Sequence, residues 1–454
     1  MSTSTSGGVR LRLAFDTERR TQQTLGVPDA LTFPDGFLWG AATAAHQVEG
    51  DNTNSDWWEW EQRGDSPVPE PSGRACEHYT RYADDVRLLA DAGLNTYRYS
   101  VEWARIEPTE GDFDAAQLDH YVRMTDVVRA AGLTPVITLH HFTLPQWLAA
   151  RGGWTHRRTP ELFARYCERV VRELGGRVDW FCTINEPGNV AVGGYLGVFG
   201  WPPGSTSYDD FRRAADGLTS GHRAALQAIK SVRPEAHVGV THGMQEWTAN
   251  AAGRSPMREV RRMFEDVYLE ASADDDFVGV QTYTRVPVDL PAALLPATAL
   301  LGRVPALRHR VLPKVLRQQF RAMSHSAPRD GLRRTQMGYE FRPEAVAATL
   351  RRAAKMLPGK DLLVTEHGIA TSDDAERIEF VRGGLAAVHQ VMAEGLPVKG
   401  YLYWSLLDNF EWAHGYRPTF GLVDIDRDTM ARTPRPSLQF LGDVASSGRL
   451  QLDR

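Results

Sequence analysis

Apolar and β-branched residues gather in eight short runs, at residues 37–44, 96–100, 134–140, 180–184, 237–241, 277–281, 361–365 and 398–404. Most are too continuously hydrophobic for a strand with one wet face, so they read as strands buried on both faces. Longer stretches lie between them, at 79–92, 119–131, 160–174, 208–232, 343–356 and 374–394, with apolar residues every three or four positions. That period belongs to a helix with one buried face. Repeated strand-helix alternation predicts parallel strands with right-handed crossovers. The expected fold is therefore α/β, a (β/α)8 TIM barrel with extended βα loops. An open doubly wound sheet is the competing topology, but no Gly-x-Gly-x-x-Gly turn follows the early strands, which disfavours a dinucleotide fold.

Two segments fall outside the alternation. Residues 1–30 begin Ser/Thr-rich, turn Arg-rich and carry no secretory apolar region. They read as a loosely ordered leader before a catalytic domain spanning 31–454. The stretch 285–334 is rich in Leu, Pro and Arg, and from Arg303 to Arg334 its basic residues meet a single acid, Asp330. A βα loop of this length is either a solvated helical excursion or a lid or acceptor-site wall.

Composition narrows the functional classes. The 52 basic and 57 acidic residues leave a net charge of −5, without the basic stripe that nucleic acid requires. No apolar stretch is long enough to cross a membrane as a helix. Cys76, Cys167 and Cys182 are odd in number and lack CxxC spacing, which indicates neither a disulfide framework nor a zinc site. His140 and His141 make a poor metal pair because neighbours on a strand point to opposite faces. A cytoplasmic protein without a metal is expected, and the sequence leaves a homo-oligomer open.

The chemistry concentrates where the strands stop. Glu186, in Thr183-Ile184-Asn185-Glu186-Pro187, and Glu366, in Val364-Thr365-Glu366-His367-Gly368, follow the fourth and seventh runs. A barrel brings the C-terminal ends of its strands to one rim, so the two carboxylates should face one pocket, as glycoside hydrolysis needs. Arg98, Gln47, His141, Tyr283, Trp404, Glu411 and Trp412 also lie in or after such runs. Amides, imidazoles and carboxylates bind hydroxyls, and indole stacks on a pyranose face, so the rim has the composition of a sugar site.

Four motifs, Phe37-Leu38-Trp39-Gly40-Ala41-Ala42-Thr43, Thr183-Ile184-Asn185-Glu186-Pro187, Thr365-Glu366-His367-Gly368 and Trp404 through Trp412, resemble the signatures of glycoside hydrolase family 1, the β-glucosidase family. The resemblance spans roughly residues 33–436. It implies exo-acting, retaining hydrolysis of a small β-glycoside without metal or organic cofactor. It further implies Glu186 as acid/base, Glu366 as nucleophile, and Arg98 and Tyr283 as supports of the nucleophile. Gln47, His141, Asn185, Glu411 and Trp412 would hold the non-reducing sugar above Trp404. Arg98 and Tyr283 should lower the pKa of Glu366, while Glu186, beside an anion, should be raised. His46, Phe142-Thr143, Gln281 and His367 depart from the usual pattern and bring the shape of the sugar pocket into question. Glu411 argues against a 6-phosphosugar by charge repulsion. Alternatives within the family are a transglycosylase, a β-galactosidase or a β-fucosidase. A non-catalytic sugar-binding barrel is disfavoured because both carboxylates are present.

Overall fold

A computed structural model describes residues 30–294, 314 and 331–452. Residues 1–29 of the predicted leader and most of the Arg-rich stretch lie outside the described residues. Eight parallel strands close into a barrel in chain order. They are β1 (Leu38–Ala42), β2 (Thr96–Ser100), β3 (Thr134–His140), β4 (Trp180–Asn185), β5 (His237–Gly243), β6 (Phe277–Gln281), β7 (Asp361–His367) and β8 (Val398–Trp404). Each coincides with one of the eight apolar runs. Apart from a few end residues they are buried along their length, as continuous hydrophobicity demands.

The surrounding helices include α1 (His78–Asp91), α2 (Ala115–Ala130), α3 (Thr159–Leu174), α4 (Tyr208–Val232), α5 (Ala345–Met356) and α6 (Asp374–Ala393). Their starts follow local capping chemistry. Asp114 accepts from the amides of Ala116 and Gln117, so α2 begins four residues before the periodic pattern does. Ser207 and Asp373 cap α4 and α6 in the same manner. At α5 the reverse holds: Arg342 to Glu344 form a turn, and the helix starts at Ala345 rather than at residue 343.

The strand ends depart more informatively. Strand β7 runs two residues beyond its apolar run, and its pairing slips in register between Val364 and Glu366. Strand β4 slips against β5 between Cys182 and Asn185. Such irregularities re-aim side chains near sites, and here they fall on the two strands that deliver Glu366 and Glu186. Strand β1 stops at Ala42, and a short helix, Ala45–Val48, carries Gln47. The hydroxyl of Ser100 accepts from the first amide of that helix at 2.7 Å.

Candidate active site

A cavity of about 760 Å³ opens at the C-terminal rim of the barrel. Gln47, His141, Asn185, Glu186, Tyr283, Glu366, Trp404, Glu411 and Trp412 all line it. Arg98, fully buried, reaches the same place from beneath. The structure thus gathers every residue selected from the sequence around one space.

Arg98 organises the floor. Its Nη1 donates to Glu366 Oε1 at 2.6 Å, its Nη2 to Asn185 Oδ1 at 2.6 Å and its Nε to Thr138 Oγ1 at 3.0 Å. The Tyr283 hydroxyl donates to the other oxygen of Glu366 at 2.5 Å. Both carboxylate oxygens therefore have charge-assisted or phenolic donors. Even so, burial pushes the Glu366 carboxyl above the ordinary carboxylate value, against the pull of Arg98 and Tyr283. This corrects the lowered pKa expected from sequence, which had no measure of desolvation. Glu366 keeps a cation and a phenol on its two oxygens, and its charge acts on Glu186. Burial first, and then the negative charge of Glu366, push Glu186 up to about 8.

Glu186 follows β4 in the left-handed backbone region, with φ of 44°. Its amide donates to the carbonyl of Thr241 on β5 at 2.8 Å. Three residues on, along the short helix Pro187–Val190, Asn189 Nδ2 donates to Glu186 Oε2 at 2.6 Å. Asn189 sits at helical spacing from Glu186, a signal the sequence contained. Gly243, which also lines the cavity, and Thr241 and Thr138, which brace the floor, carried no motif.

The sugar-binding candidates differ in what they have left to offer. Gln47 spends its amide hydrogens on Asn409 Oδ1 at 2.9 Å and the Phe410 carbonyl at 2.8 Å, leaving Oε1 buried without a partner among the described residues. An unpaired buried acceptor is costly, and a hydroxyl would satisfy it. His141 Nε2 faces the Asn185 amide nitrogen at 3.2 Å, which makes Nε2 the acceptor and leaves the proton on Nδ1, which has no partner among the described residues. Burial, aided by the Arg98 cation, holds His141 well below its ordinary value, so it is a neutral donor. Asn185 is mostly consumed. Its oxygen takes bonds from Arg98, Thr241 at 2.9 Å and Gln281 at 2.9 Å, so it orients its neighbours as well as facing the cavity. Trp404 Nε1 donates to Glu411 Oε1 at 3.2 Å. Burial pushes Glu411 up to about 8, which weakens the charge-repulsion argument against a phosphosugar.

Of the five positions that depart from the family pattern, only Phe142 lines the cavity. His367 points outward, with Nδ1 on the Tyr401 hydroxyl at 2.7 Å, Nε2 on the Pro343 carbonyl at 3.2 Å and its ring stacked on Phe380. Thr143 donates to Glu102, Gln281 to Asn185, and His46 stacks against Trp412 with ring centroids 5.4 Å apart. Among the described residues no group of three or more His, Cys, Asp or Glu side chains is placed to hold a metal ion, and no helix is long and apolar enough to cross a membrane.

Glu186 also makes a stability test. Its folded pKa, about 8, exceeds that of an unfolded carboxyl, so its contribution to stability is complete below about pH 4 and disappears as pH rises through about 8. Glu186→Gln cannot ionise. The melting temperature of this variant should fall less than that of the wild type between about pH 5 and pH 8; equal falls would place the Glu186 pKa near its ordinary value.

A parallel eight-stranded barrel with two buried glutamates among polar and aromatic side chains at its C-terminal rim has the architecture of a glycoside hydrolase. The chain belongs to Glycosyl hydrolase family 1, whose model matches residues 30–287 and 311–449, and it is an enzyme of that class, acting on O-glycosyl bonds. It is 35% identical to thermostable beta-glucosidase B of Thermobispora bispora, over 93% of this chain and 92% of that one. The crystal structure of β-glycosidase BGL167 is similar at 39% identity and a TM-score of 0.78, covering 91% and 97% of the two chains. A beta-glucosidase from Thermotoga maritima in complex with glucoimidazole matches with a TM-score of 0.79 and 26% identity, covering 92% and 99%.

Proposed function

We propose that this protein is a retaining, exo-acting β-glucosidase that removes terminal non-reducing β-D-glycosyl residues by double displacement through a covalent glycosyl-enzyme. The observation that carries the proposal is the inequality of two carboxyls in one cavity. Glu366, held by Arg98 and Tyr283, carries the charge that helps keep Glu186 protonated. In the first step Glu366 attacks the anomeric carbon while Glu186 gives its proton to the departing oxygen. Esterification removes the charge on Glu366, and with it part of the upward push on Glu186. Glu186 then takes a proton from water, which attacks the anomeric carbon and frees Glu366. Gln47 Oε1 and His141 Nδ1 have unused hydrogen-bonding capacity suited to sugar hydroxyls, and Trp404 and Trp412 supply aromatic surface. The names of the relatives support glucose as the sugar. Three buried, unpaired cysteines support a cytoplasmic setting.

The pH dependence of kcat/KM tests the assignment. A bell is expected, with the basic limb near 8 as Glu186 loses its proton and the acid limb set by protonation of Glu366. Arg98→Met leaves Glu366 buried without its cation, so the acid limb should move to higher pH and kcat/KM should fall. An unmoved acid limb would remove Arg98 from the support of the nucleophile.

A further inference from the structure

The two oxygens of Glu186 are in unlike surroundings. Oε2 accepts from Asn189 Nδ2 at 2.6 Å, whereas no donor among the described residues reaches Oε1. Oε1 lies instead over Gly243, the last residue of β5, on the cavity wall. A Cβ added at Gly243 would stand 2.6 Å from Oε1, 2.9 Å from the carboxyl carbon and 3.2 Å from Cγ, closer than carbon and oxygen pack. Gly243 is not among the residues with positive φ. Space for the Glu186 carboxyl, rather than backbone conformation, is what a side chain there would take away.

A protonated carboxyl has one O–H and one carbonyl oxygen, and an N–H donor holds the oxygen it touches in the acceptor role. We infer that Glu186 carries its transferable proton on Oε1, over Gly243, and that Asn189 and Gly243 are positioning residues that fix which oxygen serves the scissile bond. The same oxygen then receives the proton of the attacking water, since Asn189 continues to occupy Oε2. The inference rests on reading Glu186 as the acid/base. It adds to that reading an oxygen, a direction of approach and two residues that never touch the sugar bond.

Gly243→Ala pushes directly on Oε1 while leaving Glu366 and the sugar contacts in place. It should cut kcat/KM for methyl β-glucoside by roughly a hundredfold, the lower end of what general acid catalysis contributes. The loss for 2,4-dinitrophenyl β-glucoside, whose leaving group needs little protonation, should be far smaller. Equal losses on both substrates, or no loss on either, overturn the inference. Asn189→Ala supplies an independent measure, because it removes a donor that favours the ionised carboxyl. Its basic limb in kcat/KM should shift to higher pH, and an unshifted limb would overturn the assignment of Oε2 as acceptor. Glu186→Gln, measured on the same substrates, separates the two levels. If its losses are uniform across leaving groups, the acid role itself fails. If they are steep while those of Gly243→Ala are not, only the oxygen assignment fails.

Discussion

Glu366→Ala should lose turnover of 4-nitrophenyl β-glucoside by at least about a thousandfold, since without the carboxylate no covalent intermediate can form. Azide or formate should restore part of the rate. Removing the Glu366 side chain leaves a hole beside Arg98 and Tyr283, whose donors, at 2.6 Å and 2.5 Å from the carboxylate, then face empty space. A small anion fits that hole electrostatically and can attack the anomeric carbon in place of the missing oxygen. Because the anion attacks from the face that Glu366 served, azide should yield the α-glucosyl azide. Turnover near the wild-type level in this variant would refute Glu366 as the nucleophile. Rescue without a glycosyl-azide product would refute the geometry of attack.

Glu186→Ala should instead show a loss that depends on the leaving group. Alkyl glucosides need a proton on the departing oxygen and should lose about 10²- to 10⁴-fold, while dinitrophenyl glucosides should form the glycosyl-enzyme at near-normal rates. Their steady-state turnover should then stall at the second step, because no base remains to activate water, and the intermediate should accumulate as a burst. The variant also removes a buried carboxyl pushed up to about 8, so the basic limb of the pH profile should disappear for the first step. A uniform loss across a leaving-group series, with the basic limb intact, would contradict the acid role.

The barrel was legible because its strands are buried on both faces, and continuous hydrophobicity marks such strands without help from tertiary contacts. The runs at 96–100, 134–140, 277–281 and 398–404 agree with β2, β3, β6 and β8 to the residue. The extension of β5 to Gly243 and β7 to His367 was not legible. At these ends polar residues continue the strand, held by backbone pairing with Gln281. At the site, strand-end position located Glu186 and Glu366, but the sign of the Glu366 shift depended on burial against Arg98, which no spacing encodes. His367 looked like a change in the sugar pocket because adjacency to Glu366 says nothing about side-chain direction. On a strand the next residue faces the other way, and His367 does so, toward Tyr401 and Phe380. Gly243 had no signal at all, since its importance lies in atoms it lacks.

The central claim is that Glu366 attacks the sugar as an anion while Glu186 holds the proton. It is tested most directly by incubating the enzyme with a 2-deoxy-2-fluoro-β-glucosyl fluoride and locating the adduct by peptide mass spectrometry. The fluorine slows both steps, and the good leaving group lets the first outrun the second, so the covalent intermediate persists. A single adduct on Glu366 is the predicted result; an adduct on Glu186, or time-dependent inactivation with no covalent mass at either glutamate, would contradict it.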